Sequence, residues 1–285
     1  MSFSQYRERY ARAVAAAPGV DDPRVVEAFK KVPREHFVGP GPWLILAREG
    51  YVGSETSDPA VLYDDIVVAL APDRRINNGQ PTLHARCLSA ARVRPGERIL
   101  HIGCGSGYYS AVLSELVTPS GHVVAWDLEA DLTARARSNL VEWTNVAVDR
   151  RDGTVMPIPR SNVIYVCAGC TAPLRAWVDA LADGGRLVFP LTPGWDFGGM
   201  LMITRTGDDL AARFVCRCSF IPCVGGSDEI GKAAVQKAFS TGNMDDVSSL
   251  HFGFQDAGSG TWLAGDGWWL STTSQSRRTD LPSQD

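Results

Sequence analysis

From Pro81 to about Gly225 the chain alternates short apolar runs with stretches of helical periodicity. Residues 82–92 read as a helix, Arg98–Ile102 as a strand, Tyr108–Val117 as a helix and 122–126 as a second strand. A helix over 130–143, a strand over 146–149, a strand over 163–168, a helix over 173–181 and a strand over 186–190 continue the pattern. Parallel neighbours need a crossover of a dozen or more residues, so this alternation implies a mostly parallel sheet covered on both faces. The last two runs, 200–204 and 213–221, have no helix-length segment between them. They are expected to form an antiparallel pair at one edge.

The flanks differ. In the first 80 residues Phe3, Tyr6, Tyr10 and Val14 recur at helical spacing before Pro18-Gly19. Asp22-Pro23 reads as an N-cap with proline at the first helical position, followed by the stripe Val25, Val26, Phe29. Glycine and proline between Gly39 and Asp73 suggest loops around short elements. Beyond Gly226 a helix capped by Asp228 and a 262–270 hairpin with Gly265-Asp266-Gly267 at its turn are expected, then a polar, disordered tail from Ser274. The chain thus divides into a helical N-terminal region (1–80), a central α/β domain (81–225) and a C-terminal extension (226–285).

The chemistry is concentrated at strand ends. The first strand runs into Gly103-Cys104-Gly105-Ser106-Gly107-Tyr108, a glycine-rich turn that opens a helix. In an open α/β sheet ligands bind outside the carboxyl ends of the strands, and glycines let the backbone approach them closely. The spacing is G-x-G-x-G, with Tyr108 where the dinucleotide pattern needs glycine, so S-adenosylmethionine is favoured over a nicotinamide. Asp127 ends the next strand, twenty residues past Gly107, and Leu128 follows it. A carboxylate there can accept from both ribose hydroxyls, or can cap the next helix. Asp152-Gly153 follows the third strand, placed to receive the adenine amine, or forms a plain turn.

Charge and hydropathy narrow the partners. The chain has 28 basic and 32 acidic residues, a net charge of −4, and no block of like charges, so no broad face for a nucleic-acid backbone is expected. No apolar run approaches the ~20 residues that span a bilayer, and the N-terminus lacks an apolar stretch of signal-peptide type. A cytoplasmic enzyme is expected. Seven cysteines are scattered without a repeated C-x-x-C pair, so Cys167, Cys170, Cys216 and Cys218 read as core residues and no metal site is expected.

Over residues 32–224 the chain resembles the protein-L-isoaspartate (D-aspartate) O-methyltransferase family. Val32-Pro33-Arg34-Glu35-His36-Phe37-Val38 is similar to its N-terminal signature, Tyr63-Asp64-Asp65 to its Y-x-D, and the 103–108 loop to its G-x-G-S-G-Y. Asp152-Gly153 matches its D-G, Gly184-Gly185-Arg186-Leu187-Val188-Phe189-Pro190 resembles its G-G-R-L-V-x-P strand, and Phe220-Ile221-Pro222 its terminal F-V-P. The resemblance implies a Rossmann-like class I S-adenosylmethionine-dependent methyltransferase sheet of seven strands. It also implies methyl transfer to a carboxylate of a protein or peptide. Cofactor contacts would come from Gly103, Cys104, Gly105, Ser106, Gly107, Asp127, Leu128, Asp152 and Gly153.

One position departs from the family. Its loop reads roughly T-I-S-Q-P, with an active-site serine, whereas this chain has Asn77-Asn78-Gly79-Gln80-Pro81. Asn77, Asn78 or Gln80 can supply the missing hydrogen bond, or the segment is only a tight turn. Its position makes 73–81 a lid candidate. A carboxylate acceptor is ionised at neutral pH and needs no general base; a hydroxyl or amine acceptor would, and His84 is the best candidate for it. His101 lies mid-strand and reads as core. Asp65 either holds a substrate N–H or caps a helix. Asn78, Gln80 and Asp65 are therefore the candidate catalytic residues. Trp262, Trp268 and Trp269 read as a hairpin burying bulk or as a contact rim. The alternatives are a small-molecule or different peptide acceptor, a cofactor-binding module without turnover, and, more remotely, a nicotinamide-dependent reductase.

Overall fold

The structure is a computed structural model that describes residues 2–253 and 260–274. The expected tail from Ser274 therefore lies almost wholly outside the described residues. Helices α1 (Phe3–Ala15) and α2 (Pro23–Lys31) pack together at the N-terminus, followed by the short α3 (Glu35–Val38). Ser2 caps α1 through a reciprocal bond with Gln5, and Asp22 caps α2 by accepting from the Arg24 N–H. Two small hairpins come next, β1 (Leu44–Ala47) with β2 (Gly50–Gly53) and β3 (Ala69–Ala71) with β4 (Ile76–Asn77). The sequence offered only glycine and proline there, because such short strands carry too little alternation to register.

The alternating region follows as α4 (Pro81–Ala91), β5 (Arg98–Ile102), α5 (Tyr108–Val117), β6 (His122–Asp127), α6 (Ala130–Asn139) and β7 (Val146–Arg150). It continues through β8 (Ser161–Val166), α7 (Arg175–Asp179), β9 (Leu181–Leu191), β10 (Gly198–Thr206) and β11 (Asp209–Cys218). The extension supplies α8 (Glu229–Thr241), β12 (Ser249–Phe252), β13 (Thr261–Gly265) and β14 (Trp268–Ser271). In one sheet the strands run β13-β14-β12-β11-β10-β9-β8-β5-β6-β7. Strands β5 to β9 are parallel, and β5 to β11 make up the seven strands that the resemblance implies.

The edge differs from the expectation. β10 and β11 are antiparallel, but β12 pairs with β11 and carries the β13–β14 hairpin beyond it, so the pair lies inside a ten-stranded sheet. The physical reason is that β11 would otherwise offer a row of unpaired backbone groups, which the extension covers. Trp262 fills the angle between Phe214 of β11 and Phe239 of α8, with ring centroids 5.3 and 5.1 Å away, and Trp269 stacks on His251.

Alternating strand residues feed two cores. Ile99, Val123, Val163 and Tyr165 face α1, α2, α4 and α5, whereas Leu100, Trp126, Ile164 and Phe189 face α7 and α8. No helix among the described residues is long and apolar enough to cross a membrane. Arg186 ties the sheet to α4: Nε donates to Ala91 O at 2.8 Å and Nη2 to Arg92 O at 2.9 Å, while the guanidinium pairs with Glu97. Both partners are about nine-tenths buried. Replacing Arg186→Met strands the Glu97 carboxylate, so the urea unfolding free energy is expected to fall by about 3–5 kcal/mol. The double variant with Glu97→Gln should recover part of that loss.

Two histidines are buried beside the same core. Burial holds His84 and His101 down to a pKa of about 3, with mutual repulsion and Arg34 adding to the effect at His84. The unfolded chain protonates them near pH 6.5, so between pH 6.5 and 3 it binds more protons than the native state. Stability is therefore present above pH 6.5 and lost as pH falls, by about 2 kcal/mol per histidine at pH 5. Urea unfolding at pH 7 and pH 5 measures this, and a midpoint that does not move would contradict the neutral assignment.

Candidate active site

The chain order of parallel strands reverses between β5 and β8, so the loops after those strands splay apart and leave a crevice. A cleft of about 490 Å³ opens there, within the range of small-molecule sites. Gly103, Cys104, Gly105, Ser106, Asp127, Leu128, Asp152 and Gly153 line it. Gly107 does not, being the residue from which α5 starts. It adopts φ of 98°, and a Cβ there would come within 2.7 Å of Leu140 Cδ1. Gly103 and Gly105 are also left-handed, at 75° and 56°.

Asp127 closes this loop onto the next strand. Its Oδ2 accepts from Gly105 N–H at 2.7 Å and its Oδ1 from Glu129 N–H at 3.0 Å. Burial pushes its carboxyl upward against those two bonds. Each oxygen keeps a lone pair, so capping and hydroxyl binding, set out above as alternatives, are compatible. Asp152 Oδ1 takes up Thr154 N–H and Oγ, while Oδ2 has no partner among the described residues. Gly153 is required for space: a Cβ would strike the Ile102 side chain. Ser106 Oγ is buried at the wall without a hydrogen-bond partner among the described residues. A glycine loop, an orphan hydroxyl and a carboxylate with spare lone pairs fit the zwitterionic tail and ribose of S-adenosylmethionine.

The opposite wall carries Asn77, Asn78, Gly79, Gln80 and His84, with Tyr109 and Phe220. Asn77 Oδ1 accepts the Gly79 N–H at 2.9 Å, which shapes the turn that Gly79 completes at φ 70°. Asn78 is buried with Oδ1 accepting from Val68 N–H at 2.9 Å, so its amide orientation is determined and Nδ2 is left without a partner among the described residues. Gln80 Nε2 donates to Asp65 Oδ2 at 2.6 Å. Asp65 also accepts from the Thr82 N–H and hydroxyl at 2.9 and 2.6 Å, so it caps α4 and does not line the cleft. Of the three candidate catalytic residues the structure brings Asn78 and Gln80 to the wall and leaves Asp65 behind it.

Arg34 was not singled out from the sequence, although its motif was. Its fully buried guanidinium donates to the carbonyls of Leu62, Asp64 and Ile66 and reaches Asn78 Oδ1 at 3.5 Å. It thereby sets the Tyr63-Asp64-Asp65 segment against the wall. The 73–81 segment is strapped down by Arg74, which pairs with Glu129 and Asp131 at the start of α6. Leu46, Trp195 and Phe197 line the cleft and stand substantially exposed, forming an apolar rim, with Arg75 over the Trp195 ring. Trp262, Trp268 and Trp269 do not line it.

Comparisons with known proteins agree with this geometry. The family model of protein-L-isoaspartate (D-aspartate) O-methyltransferase matches residues 13–228. The chain is 33% identical over 221 residues to protein-L-isoaspartate O-methyltransferase 2 of Anaeromyxobacter sp., covering 76% of this chain and 82% of the relative. It is 32% identical over 215 residues to the Protochlamydia amoebophila enzyme, covering 74% and 92%. A solved protein-L-isoaspartate O-methyltransferase superposes with a TM-score of 0.64 at 20% identity, over 95% of this chain and 88% of that one. A Plasmodium falciparum structure described as a putative member, in complex with S-adenosyl-L-homocysteine, gives 0.59 at 17% identity over 79% and 99%. The glycine-rich strand end, the Y-x-D segment and the matched length have one common account: the chain belongs to the protein-L-isoaspartate (D-aspartate) O-methyltransferase family of S-adenosylmethionine-dependent enzymes.

Proposed function

We propose that this chain methylates a carboxylate on a protein or peptide, the isoaspartyl side chain being the first acceptor to test. The observation that carries the reading is the chemistry of the wall facing the glycine loop. Asn78 offers there an N–H pair with no partner among the described residues, and the Asp65 carboxylate beside the turn is occupied by Thr82 and Gln80. Such donors suit an acceptor that arrives already ionised. Bound S-adenosylmethionine supplies a methyl group activated by its sulfonium. The chain's own share is to orient, to exclude water and to hold the acceptor oxygen in line.

In this reading Gly103 to Gly107, with Ser106 Oγ, hold the cofactor's amino-acid end. Asp127 holds the ribose, Leu128 packs beside it, and Asp152 and Gly153 meet the adenine. Asn78 orients the acceptor and Gln80 with Asp65 steadies the turn that carries it. Residues 1–80 provide the helical N-terminal region and the substrate-side loops, 81–225 the methyltransferase domain, and 226–285 the C-terminal extension. A net charge of −4 argues against a nucleic-acid acceptor, and seven free cysteines favour a reducing, cytoplasmic setting.

Calorimetric titration with S-adenosylhomocysteine should show saturable binding that Asp127→Ala weakens at least about tenfold, the loss of one or two charge-assisted hydrogen bonds. Incubation with an isoaspartyl peptide should yield a methyl ester released at high pH; an ether or amine product would not be, and would refute the carboxylate assignment. Restoring a hydroxyl at the turn is not expected to help. Gly79→Ser forces a left-handed serine against the His84 ring, so it should lower thermal stability by about 1–2 kcal/mol with no gain in turnover.

A further inference from the structure

Gly79 is bare for a reason that lies across the turn from it. A Cβ at that position would collide with Nε2 of His84, so the imidazole occupies the space a side chain would need. The ring is clamped. It stacks on Tyr109 with centroids 3.7 Å apart at 19°, and the edges of Tyr165 and Phe220 close two further sides. His84 lines the cleft, and Nε2 has no hydrogen-bond partner among the described residues.

The other ring nitrogen determines what Nε2 carries. His84 Nδ1 lies 2.7 Å from the Tyr165 hydroxyl, which is fully buried and has no other partner among the described residues. A buried O–H must donate, and Nδ1 is the acceptor within reach. Nδ1 therefore holds the lone pair and Nε2 the proton. The histidine that seemed suited to be a base is thus arranged as a donor.

We propose that His84, held as the Nε2–H tautomer by Tyr165, donates a hydrogen bond to the carboxylate of the methyl acceptor beside Gly79. This rests on the carboxylate reading above. A neutral donor suits the place, since an imidazolium would repel the sulfonium that shares the cleft. During transfer the carboxylate oxygen forms the new O–C bond and the S–C bond breaks. Its electron pair stays on sulfur, leaving a neutral thioether and a neutral ester, and no proton moves. Acceptor charge disappears toward the transition state, so the N–H stabilises the bound acceptor at least as much as the transition state. Its contribution is to affinity and aim rather than to the chemical step. Tyr165 is a positioning residue.

The test combines imidazole nitrogen NMR with kinetics on His84→Phe, which keeps the stack, His84→Gln, which keeps an N–H donor, and Tyr165→Phe. S-adenosylhomocysteine titration serves as the control for fold and cofactor site. In the wild type, NMR should find Nε2 protonated and Nδ1 bare from pH 5 to 8, and the Nε2–H signal should shift when an isoaspartyl peptide is added to the S-adenosylhomocysteine complex. Tyr165→Phe should mix the tautomers. His84→Phe should raise the peptide KM about tenfold or more, with kcat changing less than about threefold and inhibitor affinity unchanged, and His84→Gln should recover part of the loss. A proton on Nδ1, or a His84→Phe enzyme with wild-type KM, overturns the proposal and leaves the carboxylate reading standing. A wild type that binds S-adenosylhomocysteine but neither binds nor methylates the peptide overturns that reading and the proposal with it.

Discussion

The cleft wall that carries the 77–80 turn hangs on one buried cation. Arg34 is fully enclosed and makes no ion pair among the described residues; its charge is spread over three main-chain carbonyls and the Asn78 amide oxygen. A guanidinium suits this task because its donors form a rigid planar fork, so one residue sets the relative positions of several backbone segments. The 62–66 strip, the Asn78 amide and, through the turn, Gly79 all take their places from it. Tyr63 is locked to Glu35, the residue next to Arg34, which adds a second tie between the same two segments.

The two halves of the cleft are built by different means. The half at the glycine loop is backbone made: three left-handed glycines and a carboxylate bridging two amides at successive strand ends of a parallel sheet. Those features need only the sheet to be correctly wound. The other half is side-chain made, from groups contributed by α4, β8, the turn at 77–80 and α5. Its shape depends on packing between elements far apart in sequence, such as the His84–Tyr109 stack and the His84–Tyr165 bond. A chain can therefore keep the first half intact while the second is remodelled.

The C-terminal extension acts on the sheet rather than on the cleft. By pairing β12 with β11 and adding a hairpin, it moves the exposed edge away from the methyltransferase core and covers Phe214 with Trp262 and Phe239. The tryptophans that suggested either a buried hairpin or a contact rim are accounted for by this packing, with Trp268 buried and Trp262 wedged into the apolar cluster.

Local pattern alone determined the alternating core, the glycine turn, the acids at the strand ends and the motifs that carry the family resemblance. Each is written in residues adjacent in the chain, which is why β5 and α5 fall where periodicity puts them. Helix α6 ends four residues before the expected limit because Leu140 turns inward against Gly107, a contact no period reports. The short hairpins at 44–53 and 69–77 escaped for want of length. Tertiary structure decided the rest: that Asp65 turns to α4 while the Asn78 amide N–H finds no partner among the described residues, that the antiparallel pair is interior, and that His84 carries its proton on Nε2. The last follows from Tyr165, 81 residues away, and a proton's location depends on the partner that burial brings rather than on neighbours in sequence.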